Sequence, residues 1–309
     1  MKFLIHKCNN ISKILRWIKS HYSFIPQSEI FRAIREKDIL INGKKCKFSS
    51  IVNENDEISL YSGLVNKFYD SNEKKTANTI KNTHRYFDKL YENDNIIVVN
   101  KKSGISTQGG TNIKLSLVEV ISQSIGKRAY ITHRLDKDTS GVIIFAKNAE
   151  YASLISKEFR ERRVFKKYQA IIHGNVRKNS ITIQTIMQKI SGKWGELMIS
   201  RSIDDTNFTQ DLDSPLTDGQ IAITKLEVIE RLNKEKETYT RVNLFPITGR
   251  KHQLRSHMLF INHPILGDKK YYDEKNTSRN ERMLLHCCEI SFSSISFDEM
   301  SRFTAEAEF

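Results

Sequence analysis

The run His133-Arg134-Leu135-Asp136-Lys137-Asp138-Thr139-Ser140-Gly141 is a polar loop that passes directly into the strongly apolar strand Val142-Ile143-Ile144-Phe145. Polar loops held by rigid strands are where catalytic side chains are commonly mounted. Asp136 stands between Arg134 and Lys137. Cationic neighbours favour the charged form of a carboxylate, and a charged carboxylate is a competent nucleophile. The same stretch also reads as an ordinary turn, with Asp136 and Asp138 making local hydrogen bonds. Outward from the loop, Ile96-Ile97-Val98-Val99 reads as a buried strand, Leu115 to Ile125 as a helix, Ala149 to Arg163 as a basic helix, and Tyr168-Gln169-Ala170-Ile171-Ile172 as a strand. Two later β runs, Ile181 to Gln188 and Ile221 to Val228, follow with polar loops between them. This order predicts an α+β fold with a mixed or antiparallel β-sheet rather than a doubly wound one.

A second chemistry-bearing cluster is Thr248-Gly249-Arg250-Lys251-His252-Gln253-Leu254-Arg255-Ser256-His257, continuing through Met258 to Ile261. A helix starting at Thr248 or Gly249 buries Leu254, Met258 and Ile261. It leaves His252 and Arg255, three apart, as neighbours on another face that stays available. A basic helix N-terminus attracts phosphate, although a solvated face is the ordinary explanation of such residues.

The 309 residues are enough for about two domains with substantial cores. A mean hydropathy of -0.49 and the lack of a long apolar run argue for a soluble protein without a membrane span. The start, Met1-Lys2-Phe3-Leu4-Ile5-His6-Lys7, is too short in apolar residues for a secretory signal, so a cytosolic location is expected. Cys8, Cys46, Cys287 and Cys288 form no C-x-x-C pair and read as reduced thiols. Lys and Arg number 50 against 36 Asp and Glu, a net charge of +14, which is the electrostatic footprint of a polyanion partner. The first 90 residues hold 17 of these cations against 9 acids, so a separate basic module is expected there.

That module shows two amphipathic patterns, around Ile14, Leu15, Trp17 and Ile18 and from Ser28 to Arg35, with Ser28 as the expected cap of the second. Ile39-Leu40-Ile41 runs into Asn42-Gly43, the strongest hairpin signal, and Glu57-Ile58-Ser59-Leu60 supplies a later strand. Arg32, Arg35, Lys44 and Lys45 could present cations on one side, with a solvated helix face as the plainer alternative. Ser62 to Asn82, including Asp70-Ser71-Asn72-Glu73-Lys74-Lys75, reads as linker.

Metal and nucleotide chemistry find little support. His252, His257, His263, His286, Cys287 and Cys288 lack zinc-site spacing, and neither G-x-x-x-x-G-K-[ST] nor G-x-G-x-x-G occurs. No metal and no cofactor are expected.

Two resemblances follow from these residues. Ile25-Pro26-Gln27-Ser28, Asn42-Gly43-Lys44-Lys45 and Asn55-Asp56-Glu57-Ile58 resemble the S4-type RNA-binding domain over about residues 12 to 61, with Leu15 in place of the usual acidic residue. From about Tyr86 onward the chain resembles pseudouridine synthases of the RluA/RluC type. The motifs are Val99-Asn100-Lys101-Lys102-Ser103-Gly104, Gln108-Gly109-Gly110, the His133 to Gly141 loop, Lys166-Lys167-Tyr168-Gln169-Ala170, Thr248 to Arg255, His263-Pro264-Ile265-Leu266-Gly267-Asp268 and Leu284-Leu285-His286. Lys102, Asn262 and Tyr272 depart from the family pattern.

The family resemblance implies that Asp136 is the catalytic aspartate, Tyr168 the active-site tyrosine and Arg255 the arginine that pairs with the aspartate. It further implies that Arg134 enters the RNA where the target uridine has left, and that Leu285 walls the pocket. His133, Arg250 and His252 are expected RNA contacts. The expected organisation is residues 1–62 as the S4-type module, 63–85 as linker and 86–309 as the catalytic domain. The expected partner is ribosomal RNA of the large subunit, modified by a monomer. Two rivals remain at this point: a ribosome-assembly factor or RNA chaperone without turnover, and a nucleoside hydrolase that releases free uracil.

Overall fold

The computed structural model describes residues 2–22, 25–68, 82–110, 113, 115–192, 195–202, 219–234, 237–271 and 282–309. The expected linker stretch Asp70 to Lys75 and the departure at Tyr272 lie outside them. The chain divides into two compact units, Met1–Lys81 and Asn82–Phe309. Among the described residues no helix is long and apolar enough to cross a membrane.

The first unit contains β1 (Phe3–Lys7), β2 (Ser12–Lys13), α1 (Ile14–His21), α2 (Gln27–Glu36), β3 (Ile39–Ile41), β4 (Lys44–Lys45), β5 (Ile51–Val52) and β6 (Glu57–Tyr61). Four strands form an antiparallel sheet in the order β1-β6-β3-β4, and β2 pairs with β5. Ile14, Trp17 and Ile18 on α1, and Ile30, Ala33 and Ile34 on α2, recur at helical spacing and meet Ile39, Ile58 and Leu60 in one core. Asn42 and Gly43 both adopt positive φ, 50° and 70°, the conformation a two-residue hairpin of matching twist requires.

Two expectations need correction here. Ser28 does not cap α2: Pro26 is the N-cap, and no side chain caps the helix. Proline presets the entering backbone, and the Pro26 carbonyl accepts from the N–H groups of Glu29 and Ile30. Residues 62–68, expected as the start of a linker, are helical, and Leu64 and Val65 join the core of this unit. Leu64, Val65 and Phe68 form a short apolar face within a polar stretch, too brief to set a period.

The second unit runs β7 (Phe87–Glu92), β8 (Ile96–Lys101), α3 (Leu117–Ser124), β9 (Tyr130–Ile131), β10 (Ser140–Ala146), α4 (Ala149–Arg160), β11 (Val164–His173), β12 (Ser180–Gly192), β13 (Gly195–Arg201), β14 (Gln220–Lys234), β15 (Glu237–Pro246), α5 (Gln253–Phe260), β16 (Leu285–Phe292) and β17 (Arg302–Thr304). Its strands follow the path β13-β12-β14-β15-β11-β16-β10-β8-β7, with β17 on β16 and β9 on β10. Every pairing is antiparallel except β10 with β16, so the sheet is mixed and the class is α+β.

That single parallel contact places Ser140 and Gly141 beside His286 and Cys287. Gly141 has φ +114°, and a Cβ there would lie 2.3 Å from the Cys287 carbonyl oxygen, so only glycine lets the two backbones approach. One core gathers Ile97, Val98, Val142 to Phe145 and α3; a second gathers Ala170, Val242, Leu244, Leu254 and Met258. Tyr168 packs against both.

Helix bounds shift from the expected ones for identifiable reasons. α3 starts after Ser116, whose capping box with Glu119 occupies both partners. α4 stops at Arg160, and Arg162 takes φ +59°. α5 begins at Gln253, not at Thr248 or Gly249. The Gln253 side chain accepts from the Thr248 hydroxyl (2.7 Å) and the Arg250 N–H (3.0 Å) while donating to the Ile223 carbonyl (2.9 Å), which fixes 248–252 as a loop.

Candidate active site

Lys101 is the central support of the His133 to Gly141 loop. It ends β8 fully buried, and its ammonium donates to the carbonyls of Lys102 (3.0 Å), Lys137 (2.9 Å) and Thr139 (2.6 Å). Burial lowers its pKa to about 7, against the pull of Asp138 and Asp136. The Ser103 hydroxyl donates to the Asp138 carbonyl (2.7 Å), and the Gly104 N–H to the Lys137 carbonyl (2.9 Å). Thr107 both donates to the Leu135 carbonyl (2.7 Å) and accepts from its N–H (3.2 Å). The backbone around Asp136 is therefore gripped from one neighbouring segment, which leaves its carboxylate oriented rather than searching.

The carboxylate is 17% exposed and meets two side chains of the 248–260 segment: Arg255 Nη1 at 3.4 Å and His252 Nε2 at 3.9 Å. The expected Arg255–Asp136 pair exists, but it is the weaker of two. The guanidinium fork closes on Asp268, with Nε and Nη2 each 2.7 Å from a carboxylate oxygen. Tyr271 lies beneath the guanidinium, 4.9 Å from ring centre to Cζ. Burial works against the charge on Arg255, but Asp268 outweighs it and holds the pKa above the ordinary value. The expectation that Arg255 sits on an available helix face is overturned: residues 253–258 of α5 are buried on every side, because the fork supplies the partner that lets a guanidinium be buried.

His252, in the left-handed conformation with φ 54°, caps α5. Burial lowers its pKa to about 4, so it is neutral at pH 7 despite the nearby Asp136. The Tyr271 hydroxyl accepts from the Met198 N–H (2.9 Å) and lies 3.0 Å from His252 Nδ1. The hydroxyl thus bridges Met198 and His252, whose Nε2 faces Asp136. His252 is therefore a neutral hydrogen-bonding group beside Asp136, not the cation its neighbours in sequence suggest.

Tyr168 arrives from the other side, on β11. A bulge between Lys167 and Tyr168 shifts the register against β16 and sets Tyr168 opposite Cys287. Burial raises its pKa well above 10, with Cys287 and Asp136 adding to the effect, so the ring carries a protonated phenol. Leu285, buried at the first position of β16, closes the wall.

Together these groups line a cleft of about 510 Å³, within the range of small-molecule sites. His133, Arg134, Asp136, Tyr168, Arg250, His252, Arg255 and Leu285 all face it. Not all do so as expected. His133 is stacked on Phe159 (ring centres 4.2 Å), its Nε2 accepts the Ile144 N–H (3.1 Å), and burial lowers its pKa to about 3, so it is a neutral wall. Arg250 spends its Nε on the Ile221 carbonyl (3.1 Å). Arg134 is exposed at the rim. Arg160, Arg162 and Lys166 add positive charge that the sequence reading did not assign to the site. A second cavity, about 750 Å³, meets the first at Arg134, Asp136, His252 and Arg255 and includes Gln108-Gly109-Gly110 and Lys270.

Arg35, Lys44 and Lys45 are exposed, whereas Arg32 pairs within its helix with Glu29 (2.7 Å) and Glu36 (3.7 Å).

A carboxylate on a braced loop, a buried arginine and a cation-rimmed cleft make a site able to take an anionic substrate. The family model described as RNA pseudouridylate synthase matches residues 95–260, and the chain belongs to that family, in its RluA/RluC-type branch. It is 32% identical to the ribosomal large subunit pseudouridine synthase C of Rickettsia bellii, with 91% of this chain and 90% of that protein covered. It is 35% identical to the dual-specificity RNA pseudouridine synthase RluA of Haemophilus influenzae, covering 72% of this chain and 94% of that one. Among solved structures it is similar to human RNA pseudouridylate synthase domain containing 1, with 26% identity, a TM-score of 0.55, and 67% and 78% of the two chains covered. The departures from the family pattern sit in supported places: Lys102 pairs with Asp88 (2.5 Å), and Asn262 takes φ +61°, the region glycine favours.

Proposed function

We propose that the chain converts uridines of large-subunit ribosomal RNA to pseudouridine with Asp136 as the nucleophile. The observation that carries this reading is the Asp136 carboxylate, reachable from the cleft and held at 3.4 Å by a guanidinium itself locked to Asp268. The reaction breaks the N1–C1′ bond of the uridine, turns the uracil, joins C5 to C1′ and releases the C5 proton while N1 takes one up, an isomerisation with no net redox change. A target base enters only after leaving its stack, at a cost of a few kcal/mol. Tyr168 offers a ring against the extruded base, Leu285 an apolar wall, and Arg134 at the rim a cation to fill the vacated place. Arg250, Arg160, Arg162 and Lys166 supply charge for flanking phosphates, and neutral His252 and His133 shape the pocket.

The choice of large-subunit RNA is supported by the names of the relatives at 32% and 31% identity over nine-tenths of this chain. The first unit acts as an S4-type RNA-binding module, supported by its two helices, its Asn42-Gly43 hairpin and exposed Arg35, Lys44 and Lys45. The unit from Asn82 is the catalytic domain. In this reading the enzyme works in the cytosol as a monomer, with no metal or cofactor.

The test is release of tritium from uracil C5 in ribosomal RNA. Wild type is expected to release it and Asp136→Asn to release none above background; equal release removes Asp136 from the mechanism. Free uracil in place of tritiated water with retained nucleoside points to hydrolysis instead.

A further inference from the structure

Phe48 is the most exposed aromatic side chain among the described residues, at 61%, against 47% for Phe165 and 40% for Phe260. Nothing in the catalytic reading uses it. It sits in the first unit just past the Asn42-Gly43 hairpin, in the sequence Lys44-Lys45-Cys46-Lys47-Phe48. The turn that carries it is closed twice by Ser50, whose hydroxyl accepts the Lys47 N–H (2.9 Å) and whose own N–H donates to the Lys47 carbonyl (2.9 Å). The Ser50 carbonyl then accepts the Ile14 N–H (2.9 Å), which ties the turn to the start of α1. From α2, Phe31 meets the Phe48 ring edge to face, with centres 5.7 Å apart at 65°. The ring is thus fixed in place while most of its surface faces water.

Its surroundings are cationic. Lys47 adjoins it in the chain, and Lys44 and Lys45 precede it on β4. Arg35 lies one helical turn beyond Phe31, on the same side of α2. Arg35, Lys44, Lys45 and Lys47 are all exposed and form no ion pair among the described residues. An exposed aromatic face on a cation-rich stretch of chain suits a ligand that is itself a π surface joined to an anion, which describes a nucleotide.

We propose that Phe48 is a stacking platform for one unpaired base of the RNA, with Lys45, Lys47 and Arg35 on the phosphates that flank it. A base inside a duplex presents no free face, so the platform makes the first unit selective for a loop, bulge or single-stranded junction; cations alone grip any helix. A pre-fixed ring loses little freedom on binding, and stacking on an aromatic side chain is tolerant of base identity. The proposal rests on the reading of this unit as RNA-binding and adds to it what the RNA must look like there.

The test uses the full chain and two labelled RNAs: a hairpin with an unpaired loop, and a fully paired duplex of the same stem. Phe48→Leu keeps an apolar side chain at an exposed position and removes the π face. It is expected to weaken binding of the hairpin about tenfold, to leave duplex affinity and the slope of log affinity against log salt unchanged, and so to erase the preference between the two RNAs. Phe48→Trp is expected to keep it. If Phe48→Leu binds both RNAs as wild type does, or loses both equally, the platform is overturned. Lys45→Ala and Lys47→Ala separate that failure from a deeper one. If they flatten the salt slope, by about 0.7 to 0.9 per lost phosphate contact, while Phe48→Leu is silent, only the platform falls. If they change neither affinity nor slope, the RNA-binding reading of the unit falls with it.

Discussion

Asp268 shows how one unassigned residue can govern an assigned one. It is 1% exposed and takes both remaining nitrogens of the arginine that reaches Asp136. Breaking one partner of a buried pair strands the other charge, at about 3 to 5 kcal/mol. Asp268→Asn is therefore expected to lower the unfolding free energy measured by urea denaturation by an amount in that range and to slow single-turnover tritium release, because Arg255 loses the anchor that aims it. Unchanged unfolding would show the fork to be dispensable. Asp136, Tyr168, Arg255 and Leu285 were expected around one site from motifs standing in family order, and the fold brings all four to one cleft. Asp268 stood inside a quoted motif but carried no role, since its partner lies 13 residues away in a different element. Lys101 was less legible still: in a chain of 50 cations, nothing but its place at the end of the strand opened by Ile96-Ile97-Val98-Val99 distinguishes the lysine that, buried, braces the loop.

Among the elements, the close approach of β10 and β16 is the most exacting. A methyl at Gly141 meets Cys287 backbone atoms at 2.3 to 2.8 Å, and the φ of +114° is one that L side chains rarely adopt. Gly141→Ala is expected to separate the strands, to cost several kcal/mol by the same logic as other backbone strain, and to remove activity, since Leu285 and the Asp136 loop adjoin this contact. Thermal unfolding and tritium release measure both effects. Strands and the hairpin were readable from the apolar runs and from Asn42-Gly43. Helix starts were not, wherever a distant partner decided them. Thr248 and Gly249 look like an N-terminus, but the side chain of Gln253 and the carbonyl of Ile223 on β14 claim the groups that would have begun the helix there.

Across the whole molecule, buried histidines set the response to acid. His133, His252, His257 and His286 have pKa values lowered by burial, to about 3 for the first and about 4 for the others, from 6.5. Below 6.5 the unfolded chain binds protons that the folded chain refuses, so stability is full above about 6.5 and is lost as pH falls from there toward 4. Unfolding near pH 5 should take up to about four protons from these groups, read as the slope of unfolding free energy against pH. A flat profile between pH 6.5 and 4.5 contradicts their burial in the neutral state. The parallel pairing of Ser140 with His286 has one more outcome, in the order of synthesis. β16 lies within roughly the last tenth of the chain, and it joins β10 to β11 at the middle of the sheet. A polypeptide stopped before Leu285 retains every proposed catalytic group and yet exposes two raw strand edges, so premature termination produces an aggregation hazard and not a slower enzyme.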